Sequence, residues 1–173
     1  MTKILAINSI SLKKRMIELL FDYLFILAYL ALLFLGSMLF YIIFFNGIPE
    51  FTEIQSQCLA FFTSVLPITL LFTFLDYTNN GSFGKAKAGL QLVYKKKTVQ
   101  SSLIRNTIKF LPWQIGHMGT IHGVYSEFDL LSIILSFLAT LLAVALLAMM
   151  VFRKDKRHLG DLIAHTQVQL KDD

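Results

Sequence analysis

The residues from Lys13 to Phe45, KKRMIELLFDYLFILAYLALLFLGSMLFYIIFF, constrain this chain most: a basic edge leads into 27 residues from Leu19 whose only charge is Asp22. At about 1.5 Å of rise per residue the run outlasts a hydrocarbon core of about 30 Å, so a tilted transmembrane helix is expected over 17–45. Arg15, Asp22, Tyr29 and Gly36 recur every seven residues and share one helix face, with Glu18 beside them. An ionisable group inside a span costs roughly 2.5 to 3.5 kcal/mol even on the lenient insertion scale, so this face is expected to meet other helices or a polar cavity.

With 55% hydrophobic and 16% charged residues and a mean hydropathy of +0.64, the chain is too apolar for an ordinary soluble domain and reads as one integral membrane domain over 1–173. A net charge of +5 would suggest nucleic acid in a soluble protein. Here all 16 Lys and Arg fall in residues 3–15, 85–109 and 153–171, beside the apolar runs, which follows the positive-inside rule. No nucleic-acid partner is expected. Cys58 is the lone cysteine, so no intrachain disulfide or cysteine metal cage is available. The first run is too long for a signal-peptide core and reads as a retained anchor.

Met1 to Ser11 is a mixed stretch expected at the interface. Asn46 to Gln57 carries Glu50 and Glu53 without Lys or Arg and reads as an outside loop. A second span is expected over 57–76, where Pro67 cannot bond the carbonyl of Thr63 and so kinks the helix or frees an acceptor. Thr69, Thr73 and Asp76 form a stripe at i, i+4 and i+7; it either lines a site or back-bonds to its own helix with Asp76 among headgroups. GSFGK is too short for a phosphate loop and lacks the Ser or Thr after the lysine. Leu90–Tyr94 and Thr166–Leu170 both alternate and are expected to pair, while Lys95–Lys97 faces anionic headgroups.

Ser101 to Leu111 reads as an amphipathic surface helix, with Ser102, Arg105, Asn106 and Lys109 on its polar side, stopping before Pro112. Leu130 to Phe152 is an uncharged span with a small-residue stripe at Ser132, Ser136, Thr140 and Ala143. Three crossings starting inside would put the basic cluster after Phe152 outside. A weak, broken crossing over 107–128 removes that conflict. The expected fold is therefore an all-α membrane bundle of four (alternatively three) transmembrane helices, with a cytoplasmic amphipathic helix, a small two-stranded β element and both termini cytoplasmic.

Three places resemble the RDD family of bacterial membrane proteins, named for an arginine and two aspartates. Arg15 and Asp22 in KKRMIELLFD match the first pair, GKAKAGLQLV from Gly84 looks like the motif after the second span, and RHLGDLIAHTQV supplies Asp161 with Arg157, Ala164, Thr166 and Val168 in family-like places. The departures are Glu18 for a small residue, Gly160 where His often precedes the last aspartate, and Ala164-His165-Thr166 where Ala-Gly-Thr is usual. The resemblance implies a multi-pass protein of the bacterial cytoplasmic (inner) membrane, with ion transport proposed for some members.

Side chains lean toward a helix N-terminus, and about 10.5 Å of rise separates Arg15 from Asp22. Arg15 is therefore expected to contact Glu18 or Asp161 first, leaving Asp22 to Arg157, His158, His165, Arg105 or a hydroxyl such as Thr73. Two readings stay open. Asp22, with Asp76, Thr69 and Thr73, can bind Na⁺ and H⁺ alternately as an exchange site; or Arg15, Glu18, Asp161 and Arg157 form a structural anchor in an assembly or interaction protein. Neither a nucleophile–base pair, a metal-spaced cluster nor a cofactor loop is present, so no enzyme, metal or cofactor is expected. So few spans suggest a homo-oligomer or a partner membrane protein beside the lipid bilayer.

Overall fold

The computed structural model describes residues 4–5 and 7–171. The first helix, α1 (Leu12–Phe45), is capped by Ser11, whose hydroxyl accepts from Lys14 N, and ends at Asn46 in the left-handed conformation. Its 34 residues run about 51 Å at 1.5 Å each. Only Arg15, Glu18 and Asp22 are fully buried along it, so protein covers its charged start and leaves its apolar length open, as suits a helix against lipid. Of the predicted inward face, Tyr29 also finds a partner, whereas a Cβ on Gly36 would meet nothing within 4 Å.

The second span is one helical column: α2 (Glu53–Ala60), a π turn (Phe61–Val65) and α3 (Leu66–Asn79). Thr52 and Gln55 close a capping box at its start, so the loop expected over 46–57 is already helical from Glu53. The π turn lies just before Pro67, and the Thr63 carbonyl that proline leaves free accepts the Tyr29 hydroxyl at 2.6 Å. A proline and a tyrosine thereby lock α1 to the second column. This column, α1 and a later helix, α6 (Leu130–Phe152), are three helices long and apolar enough to cross a membrane.

Beyond α3 the chain builds a small cap: α4 (Phe83–Lys87) and β1 (Leu90–Tyr94), completed at the other end of the sequence by α7 (Leu159–Ile163) and β2 (Thr166–Leu170). The two strands pair antiparallel, Leu90 opposite Leu170, Leu92 opposite Val168 and Tyr94 opposite Thr166, the pairing expected from their alternation. Leu90, Leu92, Tyr94 and Val168 share a core with Ile10 and Ala88. The N-terminal stretch is thus more than an interfacial mixture. Leu5 exchanges backbone bonds with the Gln167 amide, Asn8 N donates to the Lys154 carbonyl, and Asn8 Nδ2 donates to Val168 O at 2.7 Å. Residues 1–3 and 6 of that stretch lie outside the described part.

The largest departure is α5 (Val99–Tyr125), one continuous helix of 27 residues through Pro112. No separate surface helix ends there. Its supposed water side is the buried one: Ser102, Arg105 and Asn106 are at most 2% exposed, while Leu103 and Leu111 are open. Helix α6 (Leu130–Phe152) is capped by Asp129 and packs back along α5. A Cβ on Gly119 would lie 2.8 Å from Ser136 Oγ, and one on Gly116 would touch Ala139, so glycines on α5 receive Ser132, Ser136 and Ala139 of α6. Thr140 and Ala143, expected in that stripe, face a cavity instead. The loop before Glu53 and the turn before Leu130 meet at the end opposite the cap, where Tyr125 OH donates to Phe51 O and His122 lies 2.8 Å from Glu53.

Candidate functional site

Where α1, α3, α4, α5 and α7 converge, the four carboxylates Glu18, Asp22, Asp76 and Asp161 meet the four cations Arg15, Lys85, Arg105 and Lys109. Their charges cancel, which is the condition for burying so many ions together. At the centre is Asp76, fully buried: one oxygen takes Lys85 Nζ at 3.2 Å, and the other takes Arg105 Nη1 at 2.7 Å and Asn106 Nδ2 at 2.9 Å. Arg105 turns its Nε to Asp161 at 2.7 Å, and Thr166 donates to the same oxygen at 2.9 Å. One guanidinium thus joins the end of the second column to the last cap helix.

Lys85 is wholly buried, with acceptors on Asp76, Glu18 (3.4 Å) and Ser82 (3.3 Å). Burial opposes its charge, but Asp76, Glu18 and Asp22 outweigh burial and the repulsion of Arg105, holding the amine above its ordinary range. Burial likewise works against ionised Asp161, yet His158, Arg105 and Arg15 hold it well below the usual carboxylate range. Tyr94 donates to the Asp76 carbonyl and accepts from Ser102, and burial pushes its phenol up to about 12.

The sequence-predicted residues are redistributed. Arg15 meets Glu18 at 2.8 Å, as expected, but its other contact is the Lys156 carbonyl; Arg105 takes the place at Asp161 expected for Arg15. Arg157 lies apart, bound to Asp155, which Arg153 and Arg157 hold down at about 2. Thr69 and Thr73 bond back to Val65 and Thr69 carbonyls and give nothing to Asp76, which is fully buried among cations. Of its expected kinds of partner Asp22 takes only a hydroxyl, supplied by Ser82 and not by Thr73. It accepts from Ser82 Oγ and Gly84 N, each at 3.0 Å, and from Lys109 Nζ at 3.2 Å. GSFGK, rejected as a phosphate loop, cradles the protein's own carboxylate through a backbone N–H and a hydroxyl.

Lys85, Lys109, Asn106 and Ser82 were absent from the sequence-derived site. Four acids inside or beside apolar spans call for as many cations, and Lys85 and Lys109 are basic residues in the segments adjoining them. The turn at His165 shows why glycine is usual there: its φ is 52°, left-handed, where glycine is at ease. The exposed His165 ring is expected to contribute little, so His165→Gly should stabilise the protein by about 1 kcal/mol, a rise of about 2–4 °C in melting temperature in detergent. A fall on that substitution would show that the ring carries an interaction.

No curated protein and no solved structure matches the chain. The RDD family model matches residues 10–165, from the residue before the α1 cap to the left-handed turn into β2, and so takes in Arg15, Asp22 and Asp161 together. By that match over most of its length, the chain belongs to the RDD family.

Proposed function

We propose that this protein is a non-enzymatic, multi-pass assembly protein of the bacterial cytoplasmic membrane, whose charge network clamps its cap onto the membrane helices. The observation that carries this reading is that each network carboxylate is already held by a lysine or arginine of the chain, and that Thr69 and Thr73 use their hydroxyls on their own helix. Such a site is built to stay closed. The outer half of α1, with Leu32, Phe34, Leu35, Leu39, Ile42 and Ile43 exposed, provides the surface for a second copy or a partner membrane helix.

Charge placement supports four crossings with both termini inside. The cap end gathers the basic segments, while Glu50, Glu53, Glu127 and Asp129 lie toward the other end. In a Cys58→Ser background, Glu127→Cys should react with an impermeant maleimide from outside, and Lys96→Cys and Lys171→Cys only after permeabilisation. Labelling of Lys171→Cys from outside, with Lys96→Cys protected, would restore three crossings.

Exchange of Na⁺ for H⁺ is the second reading, and one observation favours it. Asp22 is the network carboxylate held by Lys109, whose side chain is 20% exposed and so the cation freest to withdraw. In reconstituted liposomes the anchor reading expects Asp22→Asn to lower melting temperature and leave cation-driven proton movement at the wild-type level. Proton movement that requires sodium in the wild type and vanishes in Asp22→Asn would replace anchoring by exchange.

A further inference from the structure

A cavity of about 570 Å³ opens between α1, α5 and α6. Its two ends differ in chemistry. At the cap end it is lined by Arg15, Glu18, Arg105, Lys109 and His158, three cations against one carboxylate; deeper in it is walled by Tyr23, Trp113, Ala139, Ala143 and Leu147. From Arg105 to Trp113 along α5 is about 12 Å of helix rise, so the polar and apolar parts are stacked along the helix axes.

The polar end holds two donors without acceptors, together with one carboxylate oxygen, Asp161 Oδ2, without a donor. Arg15 is 3% exposed, and its Nε has no hydrogen-bond partner. His158 is 8% exposed; its Nδ1 accepts from Gly160 N at 3.0 Å, which leaves the proton on Nε2. That Nε2 lies 3.3 Å from Asp161 Oδ2 but is out of line for a hydrogen bond. Burial and the nearby Arg105, Lys109 and Arg15 outweigh Asp161 and push the His158 ring down to about 4, so it is a neutral donor at neutral pH. Two buried N–H groups beside three lining cations, each also paired with a carboxylate of the network, at the head of an apolar slot suit an occupant with an anionic head and an apolar tail.

We infer that this cavity is a binding site for an anionic phospholipid of the leaflet on the cap side, its phosphate at Arg15, Lys109 and His158 and an acyl chain along Trp113, Ala143 and Leu147 between α1 and α6. The inference rests on the membrane reading but is independent of whether the protein assembles partners or exchanges ions. Charge selects the headgroup, and the slot beside Thr140 and Ala143, which α5 leaves uncovered, takes the tail.

Trp113 is the chain's only tryptophan and lies in the wall of the slot, so it reports occupancy directly. In nanodiscs of phosphatidylcholine, dibrominated phosphatidylglycerol should quench Trp113 at a mole fraction roughly tenfold lower than dibrominated phosphatidylcholine. Arg15→Gln should remove that preference. Ala143→Phe, which touches no charge, should fill the slot and reduce quenching by both lipids, so the test survives if Arg15→Gln fails to fold. Equal quenching by the two lipids in the wild type would reduce the site to ordinary surrounding lipid and overturn the inference. Full quenching retained in Ala143→Phe would overturn the location. Relief of quenching by millimolar inorganic phosphate would overturn the lipid in favour of a soluble anion.

Discussion

Arg105→Ala is expected to be the most damaging single substitution in the chain, lowering the melting temperature in detergent by on the order of 10 °C or more. Removing one partner of a buried ion pair costs about 3 to 5 kcal/mol, because the survivor stays desolvated and unpaired. Here two carboxylates lose the same cation at once, Asp76 and Asp161, each at 2.7 Å and each fully buried. Asp76 keeps Lys85 and Asn106, and Asp161 keeps Thr166, so the loss should fall more heavily on Asp161 and on the attachment of α7 and β2. Adding Asp161→Asn to Arg105→Ala should therefore restore part of the stability, a coupling that two independent losses would not show. A melting temperature within about 2 °C of wild type for Arg105→Ala would mean that the guanidinium does not bridge the two aspartates.

The same bridge marks where reading by periodicity stops. Spacing put Arg15, Asp22 and Tyr29 on one face of α1, and all three turn inward. Alternation paired β1 with β2 because two edge strands with matching apolar faces have few other ways to bury them. In α5 the periodicity was correct and the assignment of faces was reversed. Polar residues at Ser102, Arg105, Asn106 and Lys109 define a stripe, but whether a stripe meets water or a buried set of acids depends on partners far away in sequence: Asp76, Asp161 and Asp22.

Pro112 misled for a related reason. A proline removes one helix bond, which ends a helix when nothing else holds the two halves in line. Around Pro112, Phe110 packs on Phe72 at 5.2 Å between ring centroids and Gly116 and Gly119 seat against α6, so tertiary contacts keep the halves aligned. Lysine also defeats a local reading. Lys85 follows a turn and precedes other lysines, the setting of a solvated side chain; only the count of acids needing cations distinguishes it from Lys95 to Lys97.

Gly84→Ala should be nearly as harmful as loss of Arg105, although it removes no charge. In an ordinary helix the change would be favourable by about 1 kcal/mol, since alanine is the better helix former. Here the new Cβ would overlap the Glu18 carbonyl oxygen and come within 2.6 Å of Asp22 Oδ1, and the first of these is backbone that cannot rotate away. Helix α4 must then lift off α1. With it would go the Gly84 N–H and Ser82 hydroxyl bonds to Asp22 and the reach of Lys85 to Glu18. Overpacking costs about 1–3 kcal/mol and a stranded buried acceptor about as much again, so the net is on the order of 4 kcal/mol against folding. Gly36→Ala supplies the control, because Gly36 lies in α1 with nothing within 4 Å and should be neutral or stabilising by up to about 1 kcal/mol. Equal melting temperatures for the two alanine variants would show that α4 does not press on α1 and that Asp22 is held by Lys109 alone.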